Sequence, residues 1–85
     1  MTQFVYEIKS PIGIHARPAG MISKIAREAK SMCTLTRGAD STNLRNVIQL
    51  MAMGVKCGER VCIEVSGEDE QIISARLQEL FESVL

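Results

Sequence analysis

Apolar and polar residues are patterned along almost the whole chain, and the period changes from segment to segment. Phe4, Tyr6 and Ile8 alternate with Val5, Glu7 and Lys9, which predicts a first strand. Ser10-Pro11-Ile12-Gly13 follows as a turn, punctuated by its proline and glycine. From Ala16 to about Lys30 the apolar residues Ala19, Ile22, Ala26 and Ala29 recur at spacings of three and four, with Ile25 beside them. Arg17, Met21, Lys24 and Glu28 fall on another face, so this helix buries one side and exposes the other. Met32 to Arg37 and Asp40 to Asn43 read as two short strands joined at Gly38-Ala39. Leu44 to Met53 predicts a short helix, apolar on more than one face, that stops at Gly54. Alternation returns from Arg60 to Ser66, with Val61, Ile63 and Val65 on one side. A final helix is expected from about Asp69 to Val84, with Ile73, Leu77, Leu80 and Val84 as its stripe. Asp69 and Glu70 would complement its dipole.

The resulting order, β-α-β-β-α-β-α, predicts a two-layer α+β fold. The polar side of the alternating strands suits an antiparallel sheet with helices on one face and water on the other. With 85 residues, one domain spanning residues 1–85 is expected.

Composition removes several function classes. The ten basic and ten acidic side chains cancel, so no bulk field favours nucleic acid. No apolar run approaches the roughly 20 residues of a membrane-spanning helix. Met1 to Glu7 lacks the basic and then apolar regions of a signal peptide, so a cytoplasmic location is expected. Cys33, Cys57 and Cys62 lack C-x-x-C spacing, and one histidine cannot complete a convincing zinc set. They are expected to pack in the core or sheet, with no metal and no cofactor.

Candidate chemistry gathers at Gly13-Ile14-His15-Ala16-Arg17-Pro18-Ala19, which holds the only histidine. Pro18 fits the first turn of the helix that starts here, where N–H groups lack partners in any case. Those free N–H groups and the helix dipole make an anion site. Neutral imidazole is a competent nucleophile near neutral pH. His15 is therefore the candidate phosphoryl acceptor. The Ala16 and Arg17 amides could receive phosphate oxygens, and the Arg17 guanidinium could add a charge-assisted contact. Read from residue types alone, His15 could equally be an ordinary surface histidine and Arg17 a solvated one.

The heptapeptide resembles the active-centre signature of HPr, the histidine-containing phosphocarrier family of the bacterial sugar phosphotransferase system. The resemblance extends over essentially the whole chain. Leu50-Met51-Ala52-Met53-Gly54 is similar to the family's second helix and its ending turn, and Ser66-Gly67-Glu68-Asp69-Glu70 to its loop before the last helix. The resemblance implies an open-faced sandwich with sheet order 1-4-2-3 under three helices, and Nδ1 of His15 as the phosphorylated atom. It implies a carrier rather than an enzyme, with enzyme I as donor and the IIA components of sugar permeases as acceptors. A carrier must dock both over one histidine, so exposed apolar residues ringed by polar ones are expected nearby. Met21, Val47, Ile48 and Met51 are the apolar candidates, with Lys24 and Arg27 as a basic rim; each could instead be core or simply solvated. A carrier of this size is expected to act as a monomer.

Some positions depart from the family pattern. Asn46 stands where many members carry a regulatory serine, and asparagine cannot be phosphorylated; it could cap the second helix instead. Ser41 and Thr42 are expected to be exposed strand or turn residues without that role. Ile12 replaces a small polar residue, and Gly20 an alanine. Two other readings stay open on the sequence. One is a regulatory paralogue whose His15 phosphorylation only signals; the other is a small hydrolase such as an acylphosphatase, for which neither a phosphate loop nor a water-orienting residue is evident.

Overall fold

The strands form where alternation puts one apolar side toward a common layer. In the computed structural model, which describes residues 1–85, the order is β1 (Thr2–Glu7), α1 (Ala16–Glu28), β2 (Met32–Arg37), β3 (Asp40–Asn43), α2 (Val47–Ala52), β4 (Arg60–Ser66) and α3 (Glu70–Val84). The four strands make one antiparallel sheet in the order β1-β4-β2-β3, as the resemblance implies. Registers align Phe4 with Ile63, Ile63 with Leu35, and Leu35 with Thr42, a row running across the sheet on the helix side. Val61, Ile63 and Val65 are buried, and the intervening Cys62 and Glu64 belong to the opposite face.

The helices close that apolar layer. Ala19, Ile22 and Ala26 of α1 are wholly buried, as their spacing predicts. In α3 the sheet-facing stripe is Ile73, Leu77 and Phe81, which corrects the predicted stripe: Leu80 and Val84 are only partly buried. Phe81 wins the central place because its ring meets Phe4 and Tyr6 edge-on, with centroids 5.7 and 5.6 Å apart. Its i, i+4, i+8 relation to Ile73 and Leu77 supplies the missed signal.

Three helix boundaries differ from the periodicity, each through bonds that the flanking residues make, and β1 covers Thr2–Glu7 rather than residues 4–9. First, α1 ends at Glu28 rather than Lys30, and Ala29 is extended. The Arg45 guanidinium donates to the carbonyls of Ala26, Ala29 and Ser31 there, so carbonyls left over at the helix end are satisfied without a further turn. Second, α2 spans Val47–Ala52 rather than residues 44–53. Leu44 donates its N–H to Cys33 across the sheet, and Asn46 accepts the Gln49 N–H at 3.0 Å. Asn46 is thus the N-cap that its residue type allows, and Gly54 (φ +61) ends the helix. Third, α3 begins at Glu70, and Asp69 does not cap it by its side chain. That carboxylate instead accepts the Lys30 and Ser31 N–H groups and the Ser31 hydroxyl.

Two smaller expectations also change. Cys33 and Cys62 lie in the sheet, but Cys57 is exposed in the loop after α2, where its thiol approaches the Lys9 carbonyl at 3.7 Å. Ser41 is exposed, whereas Thr42 is buried because its side of β3 faces the α2 layer. No helix is long and apolar enough to cross a membrane.

Candidate functional site

His15 is the N-cap of α1, in an extended conformation (φ −110°, ψ −172°). Its carbonyl accepts the Ala19 N–H at 3.0 Å, the first bond of the helix. The half-exposed side chain makes no capping bond. At this helix start Ala16 and Arg17 have N–H groups with no protein acceptor, and Pro18 has none to offer. The first turn carries no acidic residue, so nothing neutralises the positive end of the helix dipole. The arrangement is that of an anion receptor beside an imidazole.

The loop before the helix is held from behind. Gly13 donates to Ser10, Ile14 donates to the Val55 carbonyl at 3.0 Å, and Gly58 donates to Ile8. Ile14 is buried, and Ile12 is exposed. His15 therefore sits between a buried anchor on one side and the buried Pro18 and Ala19 on the other. The ring is presented by a framework that has little freedom to move.

His15 and Arg17 line one depression of about 320 Å³ together with Pro18, Met21 and Val84. Arg17 is exposed and takes part in none of the ion pairs, so its charge is free for an anion. Val84 belongs to the end of α3, and nothing local in the sequence shows that this end borders the depression beside His15. A larger depression, about 680 Å³, lies between the β2–β3 hairpin and α2. Its one cation, Arg37, already pairs with Asp40 and Glu59, so it offers no anion site. The structure contains no group of three His, Cys, Asp or Glu side chains placed to hold a metal ion.

The predicted docking residues mostly reach the surface. Met21, Ile48 and Met51 are 39%, 76% and 43% exposed, and Lys24 and Arg27 are exposed and outside every ion pair. Val47 is the correction: it is half-buried against the core, because α2 turns Val47 and Leu50 inward while Ile48 and Met51 look outward. The α1–α2 surface thus carries exposed thioethers and an isoleucine beside unpaired cations. Methionine is adaptable enough to serve more than one partner.

Known proteins resemble this chain in sequence and in fold. Residues 2–83 match the family model described as the PTS HPr component phosphorylation site. The phosphocarrier protein HPr of Mycoplasma capricolum is 33% identical over 100% of this chain and 97% of its own. A solved structure of the histidine-containing phosphocarrier protein of Mycoplasma superposes with a TM-score of 0.93, at 27% identity over 96% of this chain and 93% of that one. A structure of HPr-C-His from Thermoanaerobacter tengcongensis gives 0.91, at 30% identity over 98% and 93%.

Proposed function

The chain belongs to the PTS HPr family of phosphocarrier proteins, and on that premise we propose that His15 takes a phosphoryl group from phospho-enzyme I and hands it to a histidine of the sugar-specific IIA components. The observation that carries this reading is the pair of unpartnered amides at Ala16 and Arg17 beside a half-exposed imidazole. In the forward step the neutral ring nitrogen of His15 attacks phosphorus and forms the new P–N bond. The donor's P–N bond breaks, and the donor imidazole keeps that electron pair. The His15 ring, bearing the group, then stands in the donor's place toward the acceptor.

Phosphoryl transfer needs positioning and charge stabilisation more than covalent help. The new group brings close to two negative charges, which the amides of Ala16 and Arg17 and the Arg17 guanidinium can meet. The receptor is moderate: two amides, one flexible cation and open solvent. A carrier benefits from that, because a group bound too firmly would not be passed on. In this reading residues 1–85 work as one carrier domain in the cytoplasm, regenerated at each cycle rather than acting as an enzyme. Met21, Lys24, Arg27, Ile48 and Met51 form the face that both partners share in turn, and Val47 supports it from below.

Incubation with phosphoenolpyruvate, magnesium and a bacterial enzyme I tests the reading by intact mass. One acid-labile phosphate should appear, and none in His15→Ala. Arg17→Glu should slow transfer in both directions while changing stability by less than about 0.5 kcal/mol, as for most exposed substitutions. An acid-stable phosphate would place the group on a hydroxyl and overturn the scheme.

A further inference from the structure

We propose that Arg45 is a positioning residue for phosphoryl transfer: it locks α2 against the far end of α1, so that Ile48 and Met51 meet a partner together with Met21. This rests on the reading of α1 and α2 as the shared docking face. Arg45 touches neither His15 nor the depression around it. Its contacts are at the last turn of α1, a helix of 13 residues whose two ends lie roughly 20 Å apart.

By itself α2 has little to fix its place. It is six residues long, and Leu50 is its one buried side chain. Ile48 and Met51, which it presents, are exposed. Its direction is therefore set by the segment that leads into it, Asn43 to Asn46. The Leu44 N–H reaches the Cys33 carbonyl at 2.9 Å, and the Leu44 carbonyl accepts the buried Ser23 hydroxyl at 2.7 Å. The Arg45 N–H donates to Asn43 Oδ1 at 2.9 Å. Its Nε donates to the Ala26 carbonyl at 3.0 Å, and its Nη2 to those of Ala29 and Ser31 at 2.8 and 3.4 Å.

The end of a helix leaves carbonyls without helical partners, and the negative end of its dipole favours a cation there. A planar guanidinium meets three acceptors in fixed directions, which a lysine ammonium cannot reproduce. The same turn is held from its other side by the Asp69 carboxylate, which accepts the Lys30 and Ser31 N–H groups. Arg45 thus joins a doubly anchored turn to the start of α2. As a residue it is exposed, so shortening its side chain opens no cavity in the core. Leu50 and the Ser23 bond retain the fold, while α2 gains freedom about residues 43–46. The two halves of the docking face then lose their fixed relation, and a small misplacement far from the chemistry is enough to weaken productive association.

The test compares Arg45→Met and Arg45→Lys with the wild type in the whole protein, with unfolding midpoints measured in parallel. Each is phosphorylated by enzyme I and phosphoenolpyruvate over a range of carrier concentrations. The KM for the carrier should rise by about fivefold in Arg45→Met and about threefold in Arg45→Lys, with kcat unchanged. The lifetime of phosphorylated His15 at neutral pH and the His15 ring resonances should stay at wild-type values, while the amide resonances of Ile48 and Met51 shift. Wild-type KM in the folded variants would overturn the proposal. So would a raised KM accompanied by a changed His15 lifetime, which marks a general loosening of the fold. Should Arg45→Met fail to fold, Arg45→Lys alone decides. Ile48→Ala and Met51→Ala are measured alongside and should also raise KM. Wild-type KM in both would instead overturn the docking-face reading, which separates the two failures.

Discussion

Gly13 and Val55 are in direct backbone contact. A Cβ on Gly13 would lie 2.2 Å from the Val55 carbonyl oxygen and 2.9 Å from the Lys56 Cα. The same oxygen accepts the Ile14 N–H at 3.0 Å, so the chain just before His15 and the loop after α2 are interlocked. Gly13 also sits at φ +67°, in the left-handed region.

Gly13→Ala therefore meets both a backbone overlap and an unfavourable dihedral angle. It should destabilise the protein by at least about 2 kcal/mol, more than an ordinary surface substitution. Urea unfolding measures the loss. The same variant should take up phosphate on His15 more slowly, because the loop that presents the ring must move. An unchanged unfolding midpoint would show that the 10–14 loop accommodates the methyl group freely.

Gly20→Ala should act in the opposite direction. The residue lies inside α1, where a Cβ would meet nothing within 4 Å. Alanine favours the helix by up to about 1 kcal/mol over glycine, chiefly through the unfolded chain. A higher urea midpoint with an undisturbed phosphorylation rate is expected. A lower midpoint would mean that the apparent space at Gly20 is needed by a neighbour.

Asp69 predicts the acid limb of the stability curve. Its bond from the Lys30 N–H, and then those from the Ser31 hydroxyl and N–H, hold its carboxyl below the ordinary value of 3.8. A carboxyl with a lowered pKa in the folded state contributes stability that is fully present above the unfolded value. That contribution is lost as pH falls from 3.8 down through the lower folded value. Urea midpoints should hold from neutral pH to that point and then drop. Asp69→Asn should lower the midpoint at neutral pH and flatten part of the drop. Glu70, held low first by the Met1 amine and then by the Gly67 N–H, contributes in the same direction. An acid limb identical in Asp69→Asn and wild type would remove Asp69 from this role.

Three of the strands and the buried face of α1 were legible because they are local. β2, β3 and β4 have the bounds that alternation and the Gly38-Ala39 turn indicate. Ala19, Ile22 and Ala26 are buried as helical spacing demands. His15, Arg17 and Pro18 were also legible, since a helix N-terminus and its unpaired amides follow from a few adjacent residue types. The end of α1 was not, because the backbone groups there are satisfied by Arg45 and Asp69 from distant segments.

Residue order along the chain was enough for the two-layer α+β arrangement, for the main apolar faces, and for an imidazole placed at a helix start; all of these depend on neighbours a few positions apart. The sheet order came from resemblance, and folding alone decided which apolar residues would be left in water. Val47 turned inward while Ile48 and Met51 did not, and Phe81 displaced Leu80 from the centre. The depression that His15 and Val84 both line has the same origin. Such pairings depend on how layers pack and how distant backbone groups find partners, and no short window of sequence contains both sides of those contacts.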